Sequence, residues 1–330
     1  MSPQPLVPVI GQLPDGILAI SLPTPFPVGP VNCYVFLEDP VTVIDPGMMW
    51  SDTTELIETA LRQAGRNVSD VDQVLITHGH PDHFGAAGWL AQEADATVIC
   101  GRAEVPKLVE MMDRTRLIEV VARLGIPNDM HGVFRSFYEG VRHLTHPIAT
   151  ERLHLLDDGD SLRAGGREWQ VHVTPGHSVG HVALFDPVSR VLVSGDHLLA
   201  CITPNPVLEA DAESPDGRRR SLVEYLASLD RFVRLDPLLV LPGHGPRFCD
   251  VQMLTEATRR HHDVRANEIL DVMDGLGEAT PYELSRALFP DIEDFSIMLG
   301  VSEVVGHLDL LEDDGRLLRS SELPCRYVPA

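Results

Sequence analysis

At 330 residues and 44% hydrophobic content, the chain can bury a sizeable core, as one large domain with an appendage or as two domains. Its 49 acidic and 26 basic residues leave a formal net charge of -23, which repels polyanions at long range and counts against a nucleic-acid partner. No run approaches the roughly 18 apolar residues that a membrane span needs, and the start, MSPQPLVPVIGQLPDG, has neither the basic nor the long apolar region of a signal peptide; a cytoplasmic protein is expected. The cysteines (Cys33, Cys100, Cys201, Cys249, Cys325) are odd in number, widely spaced and mostly set in apolar segments, so they read as reduced thiols.

In chain order, short apolar strands are predicted at residues 17–23, 32–38 and 41–46, an amphipathic helix over 51–65, a strand at 72–77, a helix from about Pro81 and a strand at 96–100. A similar series recurs from about 153 to 245, with strands at 152–156, 168–175, 181–186, 190–196 and 238–242 and a helix over 221–235. Strands alternating with helices define an α/β layered protein with two like halves. Residues 101–152 lack strand character and carry apolar residues at helical spacing, so they read as a helical insertion, either a cap or an interface. Beyond His244 the pattern predicts a long helix from Asp250 to Gly275, two further helices and two short strands, the order of a small winged-helix appendage.

Five stretches place metal-type residues where an apolar strand gives way to a Gly- or Pro-rich turn: Asp45 in VIDPG, the run His78-Gly79-His80-Pro81-Asp82-His83, His177 in TPGHSVGH, Asp196 in SGDH and His244 in PGHG. His78 and His80 are two apart on an extended segment, so their imidazoles project to one side and can share an ion. Pro81 suits a first helical turn, and the change of geometry there turns Asp82 and His83 toward a second ion. Five histidines and two or three carboxylates, with no cysteine in any motif, suit two ions with open positions better than a closed structural zinc site.

On these motifs, which occur in the usual order over about residues 15 to 250, the chain resembles the metallo-β-lactamase-fold hydrolase superfamily. The resemblance implies an α/β four-layer αββα sandwich of two similar halves; with the sequence pattern, the expected organisation is a catalytic domain over 1–250 with the insertion at 101–152, followed by a helical, winged-helix-like domain over 251–330. It implies that His78, His80 and His177 hold one metal, that Asp82, His83 and His244 hold another, that Asp196 bridges both and that Asp45 orients the loop. Two divalent ions are then expected, with zinc the first choice and iron or manganese also compatible with nitrogen and oxygen ligands. The implied chemistry is hydrolysis by a metal-bridging hydroxide, with Asp82 in a catalytic role, orienting the nucleophile or carrying a proton to the leaving group.

Within the superfamily, Asp196 stands where many zinc β-lactamases carry a cysteine ligand, and His80 stands where the redox diiron branch has glutamate. The expected activity is cleavage of an ester, thioester or lactone, resembling the hydroxyacylglutathione hydrolase and lactonase groups. The alternative is a metal-dependent endoribonuclease or phosphodiesterase, because a similar winged-helix tail occurs in the lactamase-β-like endoribonucleases. Residues 266–330 contain four arginines against fourteen acids, and SIMLGVSEVVGHLDLLE has no lysine or arginine. A small-molecule acyl substrate is therefore expected, and nucleic acid is not. A homodimer through the insertion or the tail is left open.

Met111, Met112, Phe134, Phe137 and Tyr138 in the insertion are candidates for an acyl pocket, with core packing as the alternative. His181 and His197 flank ligand motifs and are read as loop-stabilising donors. Tyr225 is read as packing before catalysis, and Arg218, Arg219, Arg220 and the pair His261-His262 as solvated helix residues.

Overall fold

The computed structural model describes residues 10–12, 16–110 and 114–330. Period-two alternation in the strands sets up the layers. In β2 (Ile17–Leu22) and β3 (Val31–Phe36), the side chains of Leu18, Ile20, Leu22, Cys33 and Val35 face one core, while Ile17, Tyr34 and Phe36 face another. With β1 (Ile10–Gln12), β4 (Thr42–Ile44), β5 (Gln73–Ile76), β6 (Thr97–Gly101) and β7 (Leu153–Leu156) they form a sheet in sequential order, antiparallel through β4 and parallel from β4 to β7. The second sheet has the order β12-β11-β10-β9-β8, built from β8 (Ser161–Ala164), β9 (Arg167–Val173), β10 (Val182–Asp186), β11 (Val191–Gly195) and β12 (Leu239–Pro242). Only its β11–β12 pair is parallel.

The sheets face each other across a core that includes Tyr34, Phe36, Leu75, Trp169, Val171, Leu184 and Leu241. Trp169 is fully buried, stacks on Phe36 with ring centroids 4.8 Å apart and donates its indole N–H to the Ala164 carbonyl at 3.0 Å. On the outer face of the first sheet lie α1 (Thr53–Gln63), through Ile57 and Leu61, and α3 (Ala87–Ala94), through Leu90 and Ala91. Helix α6 (Ser221–Leu235) covers the second sheet with Leu222, Tyr225, Leu229 and Phe232. The expected αββα sandwich is thus present. Strands β1 and β8 were not anticipated, being short.

Helices α4 (Arg114–Arg123) and α5 (Met130–Arg142) lie in the insertion, and α7 (Val251–Leu276), α8 (Pro281–Leu288) and α9 (Ser296–Asp313) in the tail, with the hairpin β13 (Leu317–Arg319) and β14 (Tyr327–Pro329) after them. Insertion and tail share one core: Leu117, Val120, Leu124 and Phe134 pack with Met273, Val301, Leu308 and Tyr327. Backbone bonds join them as well, from Cys325 N to Arg123 O (2.8 Å) and from Tyr282 N to Leu124 O (3.1 Å). Phe134 therefore belongs to this core. Met111, Met112 and the side chain of Tyr138 lie outside the described residues. Helix α8 starts where its sequence directs, with Thr280 and Glu283 forming a reciprocal capping box and Pro281 in the first turn.

Two readings of exposed residues are corrected here. Arg218 is buried and forms a two-pronged pair with Asp309 of α9 (2.6 and 2.7 Å), so the arginine triplet begins inside the protein. Of the paired histidines, His261 is exposed but His262 is buried, with its Nδ1 3.1 Å from His307 Nε2. Adjacent helical residues point about 100° apart, so a pair at a helix–helix seam divides between solvent and core.

Trp169→Ala removes the largest buried side chain between the sheets and is expected to destabilise the fold by about 3–5 kcal/mol, measured by equilibrium urea denaturation.

Candidate metal centre

The candidate ligands cluster beyond strand ends that point the same way. Asp45 follows β4, His78 and His80 follow β5, His177 follows β9, Asp196 follows β11 and His244 follows β12. His80 keeps extended backbone because it precedes a proline, and it caps α2 (Pro81–Phe84), which presents Asp82 and His83. The His244 loop is held to the first sheet by Asn32, whose backbone N–H donates to Gly243 O (2.7 Å) and whose side chain donates to Pro242 O (3.0 Å) and Gly245 O (2.8 Å).

Two groups of ring nitrogens result. His78 Nε2, His80 Nδ1 and His177 Nε2 converge with separations of 2.9, 3.0 and 3.3 Å. His83 Nε2 and His244 Nε2 are 3.2 Å apart, and Asp82 Oδ2 lies 3.4 Å from His244 Nε2. Asp196 Oδ2 stands between the groups, 3.4 Å from His83 Nε2, 3.5 Å from His244 Nε2 and 3.7 Å from His177 Nε2. All seven predicted ligands thus come together, all buried except half-buried His80.

The outer hydrogen bonds set the tautomers. Thr77 donates its backbone N–H to Asp45 Oδ1 (2.8 Å) and its hydroxyl to Asp45 Oδ2 (2.7 Å). The Thr77 oxygen is then left to accept from His78 Nδ1 (3.1 Å), and His83 Nδ1 donates to Asp45 Oδ2 (2.9 Å). His177 Nδ1 donates to the Asn205 carbonyl (3.0 Å), and His244 Nδ1 donates to the Pro30 carbonyl (2.9 Å). Each of these rings therefore turns an Nε2 lone pair inward. Lone pairs about 3 Å apart repel unless a cation lies between them, and Asp196 Oδ1 is buried with no hydrogen-bond partner. The donor set fits two divalent cations.

Charge coupling differs between the groups. Burial, followed by repulsion from neighbouring histidines, holds His78 well below the usual histidine range, and burial also lowers His80 and His177. At His83, burial is outweighed by the carboxylates of Asp196, Asp45 and Asp82, which hold the ring well above its ordinary value; His244 is raised against burial by Asp196 and Asp82. Asp196 is drawn far below the carboxylate range because His83, His244 and His177 outweigh its burial. Space is also limiting: a Cβ on Gly243 would come within 2.1 Å of Asp196 Oδ1 and 2.8 Å of His83 Cε1, so only glycine fits.

The residues beside the ligands have structural partners. Tyr225 is fully buried, stacks on His197 at 4.5 Å and donates its hydroxyl to the His197 carbonyl (3.1 Å), which leaves no route to a substrate carbonyl. His181 Nδ1 meets Thr174 Oγ1 at 2.8 Å. Thr77, Asn205 and Pro30 were not singled out from the sequence. Thr77 had a signal, as a hydroxyl next to a ligand, but Asn205 and Pro30 contribute backbone carbonyls, which any residue possesses.

The sequence model of the metallo-beta-lactamase superfamily matches residues 26–244, and the chain belongs to that superfamily. Among its relatives, the probable metallo-hydrolase YqjP of Bacillus subtilis (strain 168) is 33% identical over 311 residues, covering 90% of this chain and 92% of that protein. The crystal structure of the metallo-beta-lactamase family protein TTHA1429 from Thermus thermophilus superposes with a TM-score of 0.82 at 28% identity, covering 96% of this chain and 99% of that one. A beta-lactamase domain protein from Burkholderia ambifaria gives a TM-score of 0.78 at 28% identity, with coverage of 97% and 93%. The likeness therefore extends beyond the sandwich into the C-terminal helices.

Metal binding requires deprotonated ligands, so the raised histidines should release their ion first as pH falls. Bound metal per chain, measured by inductively coupled plasma mass spectrometry after equilibration at successive pH values, is expected to pass from two to one before the remaining ion leaves. Asp45→Asn removes the shared acceptor of His83 and Thr77 and is expected to weaken metal affinity roughly 10- to 100-fold in chelator competition.

Proposed function

We propose that the protein is a binuclear metal-dependent hydrolase of small acyl substrates, cleaving an ester, thioester or lactone carbonyl. The observation that carries this reading is the pair of ligand groups sharing Asp196. When bound, two divalent cations supply Lewis acidity, polarising a carbonyl and lowering the pKa of water. Zinc is our first assignment; iron and manganese suit the same donors. His78, His80 and His177 would hold one cation, Asp82, His83 and His244 the other, and ionised Asp196 both. Asp82 would orient the nucleophile or carry a proton to the leaving group.

Two features support an acyl substrate over a polyanion. Phe26, on the same β2–β3 loop as Pro30, has its ring centroid 6.3 Å from that of Phe137 of α5, which stacks at 3.6 Å on Phe295 ahead of α9. This half-buried aromatic row would take an apolar acyl chain. The arginine triplet is also spent on carboxylates: Arg218 on Asp309, Arg219 on Glu224 and Arg220 on Asp313. Phosphates would have to displace those partners. In the tail, α9 is largely buried and has no lysine or arginine, so we assign the tail a packing role. Subgroup likeness to hydroxyacylglutathione hydrolases and lactonases rests on this same chemistry. Five free thiols accord with a reducing, cytoplasmic setting, and no helix among the described residues is long and apolar enough to cross a membrane.

The test is hydrolysis of a matched panel of aliphatic lactones, thioesters and esters by metal-loaded protein. Turnover is expected with at least one class, to be abolished by Asp196→Asn, and to fall roughly 10²- to 10⁴-fold in Asp82→Asn with both metals retained. Two bound metals without turnover on any class would overturn the acyl assignment and direct attention to phosphodiesters.

A further inference from the structure

A second cluster of buried charge lies next to the first group of ligands; among the described residues no hydrogen bond or ion pair joins its side chains to those of the ligands, but the Lys107 charge acts on both His80 and His177. Glu104 closes the turn after β6 and is fully buried. Its Oε2 accepts the backbone N–H of Gly79 (2.9 Å), the residue between His78 and His80. Its Oε1 accepts the backbone N–H of Gly180 (2.6 Å) and the hydroxyl of Ser178 (2.5 Å), both on the loop that carries His177. One carboxylate thus ties together the two loops whose three histidines form the first group.

Lys107, the only lysine in the chain, completes the arrangement. Its Nζ donates to Ser178 Oγ (2.5 Å) and to Glu209, and lies 3.3 Å from Glu104 Oε2. Glu209 also accepts the backbone N–H of Val179 (3.2 Å). Lys107 and Glu209 have side chains only 10% and 8% exposed. Against burial, Glu104 and Glu209 hold the lysine above its ordinary pKa, so it carries its charge here. The packing is close on the ligand side too: a Cβ on Gly79 would come within 2.7 Å of Glu104 Oε2 and 2.9 Å of Lys107 Cβ. The segment bearing Glu209 is pinned to α9 by Asn205 Nδ2, which donates to Leu299 O (3.0 Å), and by Leu208 N, which donates to Ser302 Oγ (3.1 Å). Asn205 is the residue whose carbonyl orients His177.

We propose that Lys107, with Glu104 and Glu209, is a positioning cluster that holds the His78–His80 loop against the His177 loop and so sets the geometry and affinity of the three-histidine cation site. The ammonium's hydrogen bonds are directed to Ser178 and the two glutamates, which gives it a supporting role and not that of a substrate anchor. The proposal rests on cations occupying the two ligand groups, but it is independent of which substrate is cleaved.

The test is titration of the metal-free full-length protein with Zn2+ against a chromophoric chelator, with Co2+ absorption spectra as a second readout. His177→Ala identifies which of the two binding steps belongs to the three-histidine group. Lys107→Met leaves two buried carboxylates facing each other and is expected to weaken that step at least 10-fold and alter the Co2+ ligand-field bands, with the other step shifting less. Ser178→Ala removes the shared hydroxyl without stranding a charge, and is expected to weaken the same step in a protein that folds normally. If Lys107→Met does not fold, Ser178→Ala decides the matter alone. Wild-type affinity and spectra in the folded variants would overturn the proposal, as would a raised KM with unchanged metal binding, which would make Lys107 a substrate contact. Failure of the acyl panel with two metals bound to the wild type would remove the substrate assignment and leave this result standing.

Discussion

The carboxylate of Asp45, buried just beyond β4, accepts two hydrogen bonds from Thr77 and one from His83. Thr77 extends that bond to His78, so one acid orients a ligand from each of the two groups. Its backbone sits in the left-handed region, at φ 50°, a conformation that aspartate tolerates better than most residues. The rest of the site depends on this constraint, because the inward lone pairs of His78 and His83 exist only while their other ring nitrogens have acceptors. The rings of His177 and His244 are fixed by the carbonyls of Asn205 and Pro30, which lie on segments contributed by the second half and by the β2–β3 loop. Orientation of the ligands is therefore a property of the whole sandwich.

Helices that contribute no ligand are built into the same frame. The insertion and the tail share a core, and α9 reaches the segment 205–209 through Asn205 and Leu208. The buried pair of Asp309 on α9 with Arg218, which bridges to Ala210 just after that segment, adds a charged contact whose separation would leave an unpaired charge inside the protein. The C-terminal helices thus have a structural connection to the candidate metal centre.

Much of the site was legible in the sequence because its ligands follow apolar strands directly, and because a two-residue spacing followed by proline encodes a change from extended to helical geometry in the span from His78 to His83. The two like halves were legible for a similar reason, as alternation within each strand is local. The shared core of insertion and tail was not, since Leu124 and Phe134 meet Met273 and Tyr327 across well over a hundred residues, and amphipathic spacing names a buried face without naming its partner. Arg218 and His262 misled for a related reason: charge and polarity suggest solvent, and only a specific partner, Asp309 or His307, makes burial tolerable. Glu104 and Lys107 are three residues apart, but Glu209 lies 102 residues beyond the lysine, and the one available signal was that Lys107 is the chain's solitary lysine.

The most direct measurement of the central claim is anomalous scattering from crystals of the zinc-loaded protein, with data collected on both sides of the zinc edge. The account predicts two strong peaks per chain, one among His78, His80 and His177 and one among Asp82, His83 and His244, with Asp196 in contact with both. A single peak, or peaks away from these seven residues, would contradict it.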